Sequence, residues 1–314
     1  MKVLLFTHKN DIDGMGNAIL GQLVFTDFTY ELCETFELNK RIKDYIENKS
    51  IYEYDKIFIT DLCPEEEILE ELSKNETLQG KIQVLDHHKT YDNPNYTKYS
   101  FVKIKLKDEK GLCCGTSLFY EYLKENKYLV SNSEIDEFVE LTRQHDTWEW
   151  RNIYNNEKSR ELAILFDSLG YNGYIELITE KLKQQNESFE FSSLEQTLIR
   201  NRKKQIEDKC KIYETKVHYQ EILGMKAGIL FIEYDYRNEI AEYFRQHSFD
   251  MDFVMMISLD RDVVSYRSVK DNISVRVVAE HFGGKGHDKA ATNPISNKQF
   301  LDIIKILTSS QNNK

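Results

Sequence analysis

Four short segments carry side chains that bind cations or move protons. His8, Asp11 and Asp13 follow the apolar run at residues 2–7. Asp61 follows KIFIT at residues 56–60, and Asp86, His87 and His88 follow KIQVL at residues 81–85. His145 and Asp146 close an amphipathic pattern that starts near Ser133. Singly, these groups say little, because an aspartate beyond a strand is commonly a helix cap. Together they say more: if the three apolar runs are neighbouring parallel strands, every group gathers on one rim. Carboxylates crowded in this way repel one another unless cations lie between them. Mixed imidazole and carboxylate donors suit Mn²⁺, with Mg²⁺, Fe²⁺ or Zn²⁺ as alternatives. Two such ions, bridged by one carboxylate, would clamp a phosphate and activate a water.

The elements that must position these groups are legible in outline. Apolar runs alternating with helical patterns predict an α/β fold, a parallel sheet with helices on its faces, whose ligands bind beyond the carboxyl ends of the strands. After the first run, Gly14 and Gly16 predict a turn, with a helix from about Asn17. Pro64 is placed as a first helical residue before EEEILEELSK. Further helices are expected at residues 116–123 and from Ser133, taken as its cap. Helical patterning continues to about residue 218. Residues 200–216 carry seven cations against three acids and read as an exposed linker helix. Strands at residues 227–233, 252–259 and 263–269, a helix from near Ser274 and a glycine-rich turn at residues 283–286 predict a smaller C-terminal α/β domain. The expected organisation is a catalytic domain at residues 1–185, a helical linker at 186–218 and a substrate-binding domain at 219–314, with the active cleft between them.

Composition narrows the function. The 314 residues carry 42 Lys and Arg against 53 Asp and Glu, a net charge of −11. So acidic a chain is a poor binder of long duplex nucleic acid, because phosphate affinity comes from clustered cations. No apolar run is long enough for a membrane span. Five cysteines without CxxC spacing argue against a disulfide framework and for a reducing cytoplasm. Ser and Cys residues near the motifs lack the base-plus-orienter arrangement of a nucleophilic triad.

The segments THKNDIDG (7–14), TD (60–61), DHHKT (86–90) and RQHDTWEW (143–150) resemble the four successive motifs of the DHH phosphoesterase superfamily. SYRS (265–268) and FGGKGHDKAA (282–291) resemble the signature of its associated C-terminal domain. The wording is most similar to the nanoRNA-degrading oligoribonucleases of the NrnB type. The resemblance implies that His8 and Asp11 bind one divalent ion, that Asp13, His87 and Asp146 bind a second, and that Asp61 bridges them. It also implies that Asp86 supports the ring of His87, fixing its tautomer, and that His88 contacts the substrate phosphate. Arg267, Gly283, Gly284, Lys285, Gly286 and His287 would hold the substrate, the glycines through backbone N–H groups close to an anion. Lys285 interrupts the usual glycine run.

The implied reaction is hydrolysis of short single-stranded RNA to nucleoside 5′-monophosphates, with two divalent ions, manganese before magnesium, in a protein that forms a homodimer as relatives often do. Cyclic or linear dinucleotides and 3′-phosphoadenosine phosphate are alternative substrates of the same site. A non-catalytic nucleotide- or RNA-binding module would require lost ligands, and every expected motif residue is present.

Overall fold

The computed structural model describes residues 1–286 and 288–295, with Lys285 by its backbone alone. The chain divides into two compact units, residues 1–202 and 203–314. The first opens with β1 (Lys2–His8), α1 (Ile12–Val24), β2 (Asp27–Cys33), α2 (Leu38–Glu47), β3 (Lys56–Thr60), α3 (Glu66–Lys74) and β4 (Ile82–Asp86). A short α4 (Pro94–Thr97) leads to β5 (Val102–Ile104) and a small hairpin, β6 (Lys107–Asp108) and β7 (Gly111–Leu112). Helices follow: α5 (Gly115–Glu125), α6 (Ser133–Asp146), α7 (Glu149–Asn152), α8 (Glu157–Leu182) and α9 (Ser193–Glu214). Gly170 breaks the regular dihedrals of α8.

The five main strands form one parallel sheet in the order β2-β1-β3-β4-β5. Both faces are covered, which is why the strands read as continuous apolar runs rather than as alternating patterns. Val3, Leu5, Phe58 and Leu85 pack under α1, α5, α6 and α8, whereas Leu4, Phe6, Ile57, Ile59 and Val84 pack under α2 and α3. Burying each such aliphatic or aromatic side chain contributes about 1.5–3 kcal/mol. Thr7 pairs with Thr60 and Thr60 with Leu85, so β1, β3 and β4 end level with one another. The groups that follow them therefore share one edge.

Helix α1 begins earlier than the glycines suggest. Asp11 caps it, accepting from Gly14 N at 3.0 Å, so Gly14 and Gly16 lie inside the helix. They are glycines for contact, not for turning. A Cβ at Gly14 would lie 1.7 Å from the carbonyl oxygen of His8, and one at Gly16 would lie 2.3 Å from Thr116 Oγ1. Two other caps also differ from expectation. Pro64 precedes the cap position of α3, Glu65, and is not its first residue. Asn132 caps α6 by accepting from Ile135 N, leaving Ser133 as the first helical residue, whose hydroxyl donates to Glu187 O.

The second unit takes in the later part of α9, then β8 (His218–Ile222), β9 (Met225–Phe231), α10 (Arg237–Gln246), β10 (Phe253–Ser258), β11 (Val263–Ser268), α11 (Val275–His281), β12 (Lys285–Gly286) and β13 (Ala290–Pro294). Its sheet runs β12-β13-β11-β10-β9-β8, with only β9 and β10 parallel. Residues 200–216 are not wholly exposed. Ile206, Cys210 and Tyr213 recur at helical spacing and are buried in this unit's core, and the cations occupy the remaining faces. The strands β2, β5, β8 and β13 carry no run apolar enough to announce them. Among the described residues no helix is long and apolar enough to cross a membrane.

Because the clash at Gly14 is with backbone that cannot rotate away, Gly14→Ala is expected to destabilise the protein by about 3 kcal/mol or more, the upper end for overpacking. A urea midpoint lowered at constant slope is the readout; an unchanged midpoint would contradict the close approach of α1 to β1.

Candidate metal centre

Each strand end delivers its donors by a different local device. Beyond β1 the chain enters α1 directly. Asp11 uses one carboxylate oxygen, Oδ1, as the helix cap, and turns the other toward His8, with Oδ2 2.8 Å from His8 Nδ1. Asp13, in the first turn of α1, is fully buried. Its two oxygens accept from Gly115 N at 2.6 Å and Thr116 N at 2.7 Å, the free amides at the start of α5, where the helix dipole favours a negative charge.

Asp61, just past β3, has a left-handed backbone with φ 57. Such a conformation costs about 1–3 kcal/mol for a residue other than glycine and tends to mark sites where geometry is functional. Gly115 passes so close that a Cβ there would lie 2.5 Å from Asp61 Cβ and 3.0 Å from Asp13 Oδ2.

The side chains then converge. His87 Nε2 lies 3.1 Å from Asp61 Oδ1 and 3.7 Å from both Asp13 Oδ2 and Asp146 Oδ2. His8 Nδ1 lies 3.7 Å from Asp61 Oδ2. Two groups of three donors result, His8 with Asp11 and Asp61, and Asp13 with His87 and Asp146. Asp61 reaches both, through different oxygens. The structure thus brings together all six residues expected to hold ions. Asp146 arrives from the last residue of α6, across the edge from the strands.

Asp86 serves a neighbour other than the one expected. Its Oδ1 accepts from the His88 ring at Nδ1, 2.7 Å away, and from the backbone N–H of His87 and His88. The ring of His87 points instead at the acidic donors, and half-exposed His88 is the imidazole that Asp86 orients.

The electrostatics fit cations. Burial, then the carboxylates of Asp13 and Asp11, push Asp61 well above the usual carboxylate range despite His8. Burial and Asp13 raise Asp146 to about 7, against the pull of His87. Burial opposes a charge on His8, but Asp11 and Asp61 outweigh it and raise the imidazole to about 9. Burial also opposes the charge on Asp11, yet His8 and the Gly14 amide hold it near 2. Asp61 Oδ2 is buried without a hydrogen-bond partner. An orphaned carboxylate oxygen beside three other carboxylates is what a cation resolves, and the nitrogen–oxygen donor set fits a small divalent ion. His145, beside this cluster, is instead held down near 4 by burial.

Two contributions escape a reading of the sequence. The amides of Gly115 and Thr116 hold Asp13, and the only hint is a glycine at the start of an amphipathic run. Arg143, 2% exposed, ties the end of α6 in place: Nε and Nη2 donate to Glu140, and Nη1 to Glu149 and to Leu112 O.

The remaining predicted residues belong to the second unit. Gly283 N and Gly284 N donate to Glu280 O and Ala279 O, closing the end of α11, so these two amides are already committed. Gly283 has φ 77, and a Cβ at Gly284 would lie 2.3 Å from Thr292 O. Lys285 and Gly286 pair with Thr292 and Ala291. The guanidinium of Arg267 donates to Asn238 Oδ1 and Tyr266 O, and burial, then Arg237, lower its pKa to about 10. His287 lies outside the described residues.

A doubly covered parallel sheet whose carboxyl edge carries two adjoining imidazole–carboxylate groups, followed by a second α/β unit, defines a class. The chain belongs to the DHH family, whose N-terminal domain model matches residues 2–143. Over 303 residues it is 31% identical to oligoribonuclease NrnB of Bacillus subtilis (strain 168), covering 94% of this chain and 73% of that protein. Solved structures share the fold. The DHH domain of a member of a family of ribosomal proteins has a TM-score of 0.64 at 15% identity, covering 99% of this chain and 86% of that one. Exonuclease RecJ bound to manganese has a TM-score of 0.54 at 16% identity, covering 100% and 90%.

Protons and cations compete for these donors. With Asp146 near 7, His8 near 9 and Asp61 raised, several donors hold protons at neutral pH when no cation is present. Apparent affinity for Mn²⁺ is therefore expected to rise steadily between about pH 6 and 8, by about tenfold per pH unit for each proton displaced. Calorimetry in buffers of different ionisation enthalpy should show proton release; binding independent of pH and buffer would contradict the assignment.

Proposed function

We propose that this DHH-family hydrolase degrades short single-stranded RNA to nucleoside 5′-monophosphates, using two divalent cations, manganese by preference. The observation that carries the reading is the pair of donor groups at the carboxyl edge of the sheet, linked where Asp61 of one lies 3.1 Å from His87 of the other. The 31% identity to an oligoribonuclease along nearly the whole chain supports the substrate class. A net charge of −11 favours substrates of a few nucleotides over long tracts, since little of the surface attracts a polyanion. Five buried thiols suit a cytoplasmic enzyme.

His8, Asp11 and Asp61 would hold one ion, and Asp13, His87 and Asp146 the other, with Asp61 between them. When bound, the ions supply charge neutralisation for the phosphate and acidify a water. The protein does the rest. The amides of α5 and the cap of α1 fix two carboxylates before substrate arrives, so little reorganisation is needed. His88, held at Nδ1 by Asp86, presents its far nitrogen to a phosphate oxygen and steadies the charge that builds there. Arg267 in the second unit would contribute to gripping the substrate.

Asp61→Asn separates chemistry from folding. The amide keeps the shape, tolerates the left-handed backbone and removes a buried charge. The cation-free variant is expected to melt at or above the wild-type temperature while activity falls about 10³-fold or more, the scale of losing a central electrostatic group. Retained hydrolysis would remove the bridging role.

Substrate class is tested by turnover on an RNA trimer, an RNA 24-mer and cyclic di-AMP with Mn²⁺ or Mg²⁺. The trimer is expected to be fastest, with complete loss under chelation. Faster cleavage of the cyclic substrate would favour a dinucleotide phosphodiesterase.

A further inference from the structure

We infer that Trp148 is the platform on which a nucleobase stacks while the adjoining phosphate lies at the donor groups, an inference that rests on the oligonucleotide reading above. Trp148 follows the donor Asp146 by two residues, and its backbone N–H donates to His145 O at 3.1 Å. Its Cα is thus within one helical turn of a carboxylate that faces His87. The indole is 45% exposed, whereas Trp150, the other tryptophan, is 6% exposed beneath the Arg160 guanidinium.

The backbone supplies an independent observation. Trp148 has φ 61 and ψ 9, a left-handed conformation that is a genuine outlier for a bulky side chain. It lies between α6 and α7, and its carbonyl accepts from Arg151 N and Asn152 N. Glycine makes such a turn without steric cost. What glycine lacks is a ring. An exposed aromatic at a strained position, two residues from a donor carboxylate, is explained by a contact the ring makes with something outside the protein. A base hangs one sugar from its phosphate, so its platform is to be sought beside the donor groups, where Trp148 follows Asp146. Every base offers a flat face, so stacking is tolerant of sequence, as an enzyme that clears short RNA requires.

The test compares Trp148→Ala, Trp148→Gly and Trp148→Phe on an RNA dinucleotide, and on the same dinucleotide with each base removed in turn. The alanine and glycine variants are expected to raise KM about tenfold at unchanged kcat, within the usual range for one lost stack. The phenylalanine variant should recover most of that loss, and removing one particular base should make all four proteins equal. Trp148→Gly should melt no lower than wild type, because glycine fits the turn. Adenosine 5′-monophosphate should quench the tryptophan fluorescence of wild type, excited beyond the tyrosine absorption band, more than that of Trp148→Phe, whose remaining tryptophan is buried Trp150. An unchanged KM in Trp148→Ala, an equal loss on baseless substrates, or equal quenching in Trp148→Phe would overturn the inference. Failure of the wild type to cut any RNA dinucleotide would sink the substrate reading instead, and the quenching comparison would still decide the role of Trp148.

Discussion

Mutual repulsion among buried carboxylates is the constraint on which this molecule turns. Asp11 and Asp13 are near enough to Asp61 and Asp146 to raise both of them, and Asp61 and Asp13 are almost sealed from solvent. Water cannot screen them there, so the charge must be balanced by protons, by imidazolium or by metal. Everything around the edge manages that imbalance. Level strand ends bring the groups together, helix-start amides hold Asp13, and His8 and His87 sit between the acids.

Close approach is the second theme. The first unit needs α1 tight against the end of β1 and α5 tight against Asp61. Both contacts are possible only because Gly14 and Gly115 have no side chain. Arg143 closes the far side by joining α6 to the β6–β7 hairpin and α7. A buried arginine with two carboxylate partners costs desolvation that the pairs offset. In return, the last turn of α6, which carries Asp146, is held at one place.

Much of this was legible in the residues. Buried parallel strands are continuous apolar runs, so KVLLFT, KIFIT and KIQVL announce themselves, and the acids that follow them fall on the carboxyl edge by topology alone. What was not legible depends on contacts distant in sequence. Gly14 looks like a turn residue until His8 is seen beside it. Asp86 stands next to both histidines in sequence, and only the direction of the His87 ring shows that its partner is His88. The cations of residues 200–216 mask a buried stripe of Ile206, Cys210 and Tyr213, because local charge outweighs three apolar positions spread over two turns. Strand β2 is half-buried at the sheet margin and lacks the apolar density of its neighbours.

The way Asp11, Asp13 and Asp86 are fastened has a wider consequence. Each is tethered to the polypeptide itself, by the Gly14 amide, by the amides of Gly115 and Thr116, and by the N–H groups of His87 and His88. Small zinc modules collapse when stripped, because ion and fold arrive together. A receptacle fastened to the backbone at these points is built by the same hydrogen bonds as the fold, so that filling it would alter the local field more than the shape.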